Sequence, residues 1–206
     1  MNTKDSEKNG RLSCPQCLRP SSHCVCAYVT AVHSRTRVLI LQHPEESRHA
    51  LNTARLAALG LPNSALWVGE HFPDLASYLG QASAAFLLFP GPEAQAPQPL
   101  GVLDAGDAPL LIVPDGTWRK ARKIVHMNPV LAGLPRLMLA EGGPSRYRVR
   151  KASEPNAVST IEAVVRTLTR LEPEQDFEPL LRPFDALIEQ QIAAMGADVY
   201  ARHHAG

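Results

Sequence analysis

Apolar positions along the first two thirds of the chain fall in short unbroken runs, separated by stretches with helical spacing. Thr36-Arg37-Val38-Leu39-Ile40-Leu41-Gln42 is aliphatic and β-branched and stops at His43-Pro44, which predicts a buried strand. Ser47 to Leu59 carries apolar or small residues at Leu51, Ala54, Ala58 and Leu59, with Gly60 at a C-cap position, and predicts a helix. Ala65 to Val68 predicts a second strand and Pro73 to Leu79 a short helix. Ala85 to Phe89 is a third strand, stopped by Pro90-Gly91-Pro92. The proline-rich stretch from Gly91 to Pro109 reads as a loop, because the same alternation resumes after it. Leu110 to Val113 is a fourth strand, Thr117 to His126 a helix, and Arg136 to Leu139 a fifth strand. A Gly/Pro/Arg-rich loop runs from Glu141 to Pro155, and helices over Ser159 to Leu171 and Pro183 to Met195 close the pattern. Strands apolar on both faces, alternating with helices, predict an α/β fold with a mostly parallel sheet flanked by helices.

The 206 residues suit one ordinary domain with a small appendage. With 45% hydrophobic and 20% charged residues the mixture is globular rather than disordered or fibrous. The longest apolar runs, Ala84 to Phe89 and Leu110 to Val113, are too short to span a bilayer. Met1 to Arg11 is polar and lacks an apolar signal region. The expectation is a soluble cytoplasmic protein with no membrane partner and no evident obligatory protein partner.

All four cysteines fall near the start: Cys14, Cys17, Cys24 and Cys26, spaced C-x2-C-x6-C-x1-C. Four thiolates at paired close spacing match a tetrahedral structural zinc site, with disulfides disfavoured by the expected compartment. Redox-active or free thiols are the competing reading. Turn-prone Pro15, Pro20, Ser21 and Ser22 suit a zinc knuckle with little core of its own. The division is then a tail and knuckle over 1–34 and an α/β domain over 35–206.

Net charge is only +1, yet the charges are not evenly spread. Between Asp115 and Lys151 stand nine Lys/Arg and two acids, so the rest of the chain is acidic. Two runs carry most of this: Arg119, Lys120, Arg122 and Lys123, then Arg146, Arg148, Arg150 and Lys151. A solvated face explains one such run. Two in an otherwise acidic chain point to a polyanion, RNA or DNA before free nucleotide.

The fourth strand feeds directly into Pro114-Asp115-Gly116-Thr117-Trp118. In open α/β sheets ligands sit at the carboxyl ends of strands, which is where Asp115 falls. Asp-Gly is also an ordinary turn, and Asp115 or Thr117 can simply cap the next helix. On a helical wheel Trp118, Ala121, Ile124 and Val125 share one arc, making Trp118 a core anchor, and Arg119, Lys120, Arg122 and Lys123 share the other. Downstream, Ser159-Thr160-Ile161-Glu162 reads as a capping box, although backbone amides at that helix start can also hold a carboxylate or ribose.

Taken together these residues resemble the DTW-domain family, whose pattern is Asp-x-Thr-Trp followed by basic residues and a later Ser-Thr-x-Glu-Ala, here Ser159 to Ala163. The likeness extends over the cysteine knuckle, Gln42-His43-Pro44, Asn52-Thr53-Ala54-Arg55, Leu66 to Glu70, Asn128-Pro129, Leu134 to Leu137, Ser145-Arg146-Tyr147 and Phe184-Asp185. The resemblance implies a SPOUT-like fold with a knotted C-terminal part. It also implies transfer of a 3-amino-3-carboxypropyl group from S-adenosylmethionine to N3 of a variable-loop uridine in tRNA, releasing methylthioadenosine. Asp115 would then act on the N3 proton, which requires a carboxyl raised from its ordinary range. Candidates to hold the donor are Phe89, Pro90, Gly91, Pro114, Gly116, Thr117, Ser159 and Thr160. Two other readings stay open: a SPOUT-type RNA methyltransferase and a non-catalytic zinc-knuckle RNA-binding protein.

Overall fold

The computed structural model describes residues 12–49, 51–101, 104, 107–139, 143–147 and 158–196. Strands β1 (Arg37–Gln42), β2 (Ser64–Val68), β3 (Ala85–Leu88), β4 (Leu110–Asp115) and β5 (Arg136–Leu137) form one sheet in the order β2-β1-β4-β3-β5. Every pairing is parallel. Around it lie α1 (Thr53–Gly60), α2 (Leu75–Leu79), α3 (Trp118–Met127), α4 (Thr160–Leu171) and α5 (Arg182–Met195).

Residue alternation assigns each face. Val38 and Ile40 of β1, with Leu111 and Val113 of β4, join a core that includes α1, α4 and α5. Leu39 and Leu41, with Leu110 and Ile112, face the other way into a core with Leu75, Ala121 and Ile124 of α2 and α3. The two central strands are thus buried on both faces, which is why they read as continuous apolar runs. The helix after β1 packs on one face and the helix after β4 on the other. Because β1 and β4 are neighbours, their chains leave the sheet in opposite directions and open a crevice at the strand ends. That crevice is the topological switch point where such sheets place their ligands.

Several predicted boundaries move. The helix expected over Ser47 to Leu59 begins at Thr53, because Asn52 caps it: the side-chain oxygen accepts from the Arg55 amide at 3.0 Å. Turns occupy residues 44–48 instead, where polar residues offer no apolar stripe. Gly60 is the last helical residue rather than the cap, and a Cβ there would stand 2.6 Å from Leu180. The third and fifth strands end at Leu88 and Leu137, one and two residues early.

Glu172, just beyond α4, is buried and ties the chain into β1. Its carboxylate accepts from the Ser34 hydroxyl (2.8 Å) and from the amides of Arg35 and Thr36 (2.9 Å each). Burial alone would push this carboxyl up; the hydrogen bonds from Thr36, Arg35 and Ser34 outweigh it and hold the group below its ordinary range. The cysteine segment does not stand apart from the body. Cys17, Val25 and Val32 belong to the same core cluster as α1, α4 and α5.

Candidate active site

Asp115 is the last residue of β4 and lies in register with Gln42, the last residue of β1. It is 8% exposed. Gln42 Nε2 donates to Asp115 Oδ2 at 2.7 Å, and the Thr160 hydroxyl donates to Oδ1. Thr160 is the first residue of α4 and Asn52 the cap of α1, so two strand ends and two helix starts meet around one carboxyl group. Burial pushes this carboxyl above its ordinary range; the bonds from Thr160 and Gln42 pull it back in part, and the charge of Glu46 raises it further. The burial that a base role requires is present.

Two cavities adjoin here and share Gly116, Thr117, Val158 and Thr160 in their walls. The first is mainly apolar, walled by Phe89, Trp118, Leu137, Leu139 and Ala163. The second is polar and contains Asp115, with Glu46, His49, Asn52, Lys120 and Tyr147 around it. Gly116 lies at the junction with φ +153°, and a Cβ there would come within 2.9 Å of the Lys120 Cβ, so a side chain is excluded by both backbone and space.

Of the residues proposed from sequence to hold a donor, Phe89, Pro90, Pro114, Gly116, Thr117 and Thr160 wall the apolar cavity together. Ser159 faces the polar cavity instead, and its side chain is occupied in the capping box with Glu162. Glu162 is buried and saturated: it accepts from Ser159 and from the Ser145 hydroxyl and the Arg146 amide, pinning residues 143–147 against the start of α4. Gly91 lies outside the cavity, against the Arg136 side chain.

Trp118 differs from the helical-wheel expectation. Ala121 and Ile124 are buried as predicted, but Trp118 is 46% exposed and meets Phe89 edge-on with ring centroids 6.0 Å apart. The first turn of α3 projects past the carboxyl end of β4, so its apolar arc covers the cavity and not the sheet. The ring is a wall of the site.

The basic residues divide by partner. Lys120 is held by Glu45 (2.8 Å) and Glu46 (2.7 Å), which raise it above its ordinary range. Lys123 pairs with Glu70 at 2.7 Å, and Glu70 also accepts from His43 Nε2 at 2.7 Å. Lys123 first, then His43, hold Glu70 below the ordinary carboxylate range. Arg146 is bound to Glu178 and, at 3.0 Å, to Asp185. Arg119 and Arg122 make no close ion pair with a carboxylate among the described residues, although, after Lys120, the charge of Arg119 helps hold Glu45 below its ordinary range. Arg148, Arg150 and Lys151 lie outside the described residues.

The four cysteine sulfurs lie within 4.8 Å of one another. Cys14 and Cys26 are 3.6 Å apart and Cys17 and Cys24 3.8 Å apart. A zinc ion with tetrahedral bonds of ~2.3 Å needs sulfurs about 3.8 Å apart, so the donor set fits. Amides of Cys17 and Gln16 lower the Cys14 thiol to about 6, while burial and the facing sulfurs push Cys26 up. Thiols that resist joint ionisation are the kind a divalent ion neutralises.

Two neighbours of Asp115 were given no role from sequence. Gln42 stood only at the close of an apolar strand and in the Gln42-His43-Pro44 motif, and Glu46 drew no reading; Gln42 reaches Asp115 by strand register and a hydrogen bond, and Glu46 acts on it through its charge.

Comparison with known proteins places the chain in a family. The DTW domain matches residues 11–192. The tRNA-uridine aminocarboxypropyltransferase 2 of Macaca fascicularis is 32% identical over 193 residues, covering 88% of this chain and 64% of that protein. The Drosophila melanogaster protein of the same name is 31% identical over 198 residues, covering 89% and 76%. The tRNA-uridine aminocarboxypropyltransferase A of Arabidopsis thaliana is 29% identical over 223 residues, covering 93% and 84%. The chain thus spans a little under two thirds of the macaque relative. No solved structure matches. The chain belongs to the DTW-domain family.

Proposed function

We propose that this protein is a tRNA-modifying transferase that moves the 3-amino-3-carboxypropyl group of S-adenosylmethionine to N3 of a uridine in the variable loop of tRNA, releasing methylthioadenosine. One observation carries the reading: a buried, raised carboxyl at the switch point stands beside an apolar cavity and inside a polar one. The names of the relatives select this transfer among the reactions such a site can serve.

The apolar cavity suits the adenosine and thioether portions of the donor, with Phe89, Pro90, Pro114 and Trp118 as its walls. The shared edge at Gly116, Thr117 and Thr160 suits the polar methionine end. The polar cavity takes the uridine. The geometry must aim N3 at the γ-carbon of the methionine chain rather than at the methyl, within about 3–3.5 Å and in line with sulfur. N3 becomes a nucleophile only on losing its proton, and Asp115 accepts it. Arg119 and Arg122, with Arg148, Arg150 and Lys151, hold phosphates of the tRNA backbone. Lys120, Lys123 and Arg146 serve it only by exchanging a carboxylate for a phosphate. Zinc on the four cysteines is structural, neutralising thiolates and fixing the knuckle. The same reading includes a SPOUT-like arrangement of the sheet and closing helices with a knotted C-terminal part, an intracellular setting where tRNA is found, and action without an obligatory protein partner.

Nucleoside mass spectrometry of unmodified tRNA incubated with the protein and S-adenosylmethionine tests the reading. A uridine heavier by an aminocarboxypropyl group, with methylthioadenosine in equal amount, is expected. A methyl addition would make the protein a methyltransferase. Binding without consumption of the donor would make it a non-catalytic RNA-binding protein.

A further inference from the structure

Asp115 does not have two equivalent oxygens. The asymmetry starts from the backbone. The Asn52 side-chain oxygen accepts from the Arg55 amide (3.0 Å), and Nδ2 donates to the Ser47 carbonyl (3.2 Å), so the orientation of that amide is fixed at both ends. Nδ2 also donates to Gln42 Oε1 at 3.2 Å, and Asn52 Oδ1 accepts from Gln42 Nε2 at 2.9 Å. Gln42 therefore has no freedom to flip, and its Nε2 must face Asp115 Oδ2. An oxygen held against a fixed N–H donor is the poorer place for a second proton. Oδ1 faces a hydroxyl, which can turn and accept as readily as it donates.

We infer that Thr160 is the hydroxyl through which the acceptor's proton reaches Asp115, entering at Oδ1 because the Asn52–Gln42 pair reserves Oδ2. The inference rests on the transfer proposed above. Thr160 lines both cavities, so it stands between the space for the uridine and the space for the donor. In the step, uridine N3–H gives its proton to Thr160 Oγ1 while the Thr160 proton passes to Asp115 Oδ1. The N3 electron pair forms the bond to the γ-carbon, and the carbon–sulfur bond breaks with its electrons left on sulfur. The positive sulfonium and the negative carboxylate both end neutral, so the step removes two buried charges at once. Gln42 and Asn52 are positioning residues: they touch no reactant and act only through the carboxyl.

Other groups that face Asp115 from neighbouring elements are Glu46 and His49 after β1, Lys120 of α3, and Tyr147 before α4. Glu46 is held in its ion pair with Lys120 at 2.7 Å. The His49 Nδ1 accepts from the Leu51 amide at 3.2 Å, fixing that ring nitrogen as an acceptor. Glu162, the nearest acid of α4, is consumed by the cap.

Single-turnover and steady-state rates at saturating tRNA and S-adenosylmethionine, with donor affinity measured separately, test the assignment. Thr160→Val keeps the shape and loses the hydroxyl; kcat at saturating donor should fall at least ~10²-fold, within the range for a lost acid–base group, over and above any loss of donor affinity from the missing hydroxyl. Thr160→Ser should recover most of the turnover that valine loses. Gln42→Met should move the rising limb of the pH–rate profile to higher pH while keeping most of the plateau, because Oδ2 loses the donor that favours ionisation. Wild-type kcat in Thr160→Val at saturating donor would overturn the relay, as would a loss that appears only in the KM for the donor. A uniform loss for Gln42→Met at every pH would overturn the positioning role. If wild-type protein forms no aminocarboxypropyl product in the same assay, the transfer reading fails first and the relay falls with it.

Discussion

Asp115→Asn should lower activity and leave the protein at least as stable, a pairing that separates a base from a turn former. The environment predicts how Asn would sit. Its carbonyl replaces Oδ2 as the acceptor for Gln42 Nε2, whose orientation cannot change. Its amide replaces Oδ1, and the Thr160 hydroxyl turns to accept from it. No buried donor or acceptor is orphaned, so the substitution avoids the ~1–3 kcal/mol cost of an unpaired polar group. What disappears is a carboxylate that burial disfavours. Because its folded pKa is raised, Asp115 costs stability progressively as pH rises from the unfolded value near ~3.9 through the folded value. The stability of the variant relative to wild type should therefore grow with pH across that window and then level off. Each 1 kcal/mol of relief appears as about 2–4 °C in Tm for a chain of this size. Turnover should fall by about 10²–10⁴-fold, the range for a lost general base. Thermal unfolding from pH 4 to 9, run beside single-turnover rates at saturating substrates, provides both readings. Parallel stability curves would refute the burial argument, and equal single-turnover rates would remove the base role.

Further outcomes follow from other parts of the molecule. Arg119→Ala with Arg122→Ala should reduce the slope of log tRNA affinity against log salt by ~1.4–1.8 for two phosphate contacts, with donor affinity unchanged; an unchanged slope means these side chains bind no phosphate. Metal analysis of protein purified without added metal should find one zinc per chain, and chelation should lower the Tm of the whole body because Cys17, Val25 and Val32 pack in the main core; a separate early transition with the main one unmoved would refute this coupling. Glu172→Gln should destabilise by about 1–3 kcal/mol at neutral pH, since an amide turns a donor toward the amides of Arg35 or Thr36. Glu172 has a depressed folded pKa, so its contribution is present above the unfolded value of ~4.3 and fades as pH falls through the folded one; the gap between variant and wild type should close in acid unfolding.

The central sheet was legible because β1 and β4 are buried on both faces and so print their burial as unbroken apolar runs. Asp115 was legible because a strand followed by Asp-Gly marks a strand end wherever it occurs. The start of α1 was not: the apolar spacing around Leu51 resembled a helix, but Asn52 offered a cap that local spacing cannot weigh. Trp118 misled for a geometric reason. A wheel assumes that every turn of a helix rests on the sheet, and the first turn of α3 overhangs it. Gln42 was hidden more deeply, since its role depends on register with a residue 73 positions away. The pairing of Lys120, Lys123 and Arg146 with acids was equally invisible, because their partners come from separate segments of the chain.

The same separation of 73 residues sets the order in which the protein can assemble on a ribosome. Strand β1 can pair with β2 soon after synthesis, but its other edge belongs to β4. At 5–20 residues per second, β4 follows about 4–15 s later. For that interval a strand built for burial on both faces has an open edge and incompletely covered faces, the condition in which nascent chains aggregate or recruit chaperones. No N-terminal fragment ending before β4 can hold the site, and slowing synthesis between β2 and β4 should lower soluble yield more than slowing it after α4.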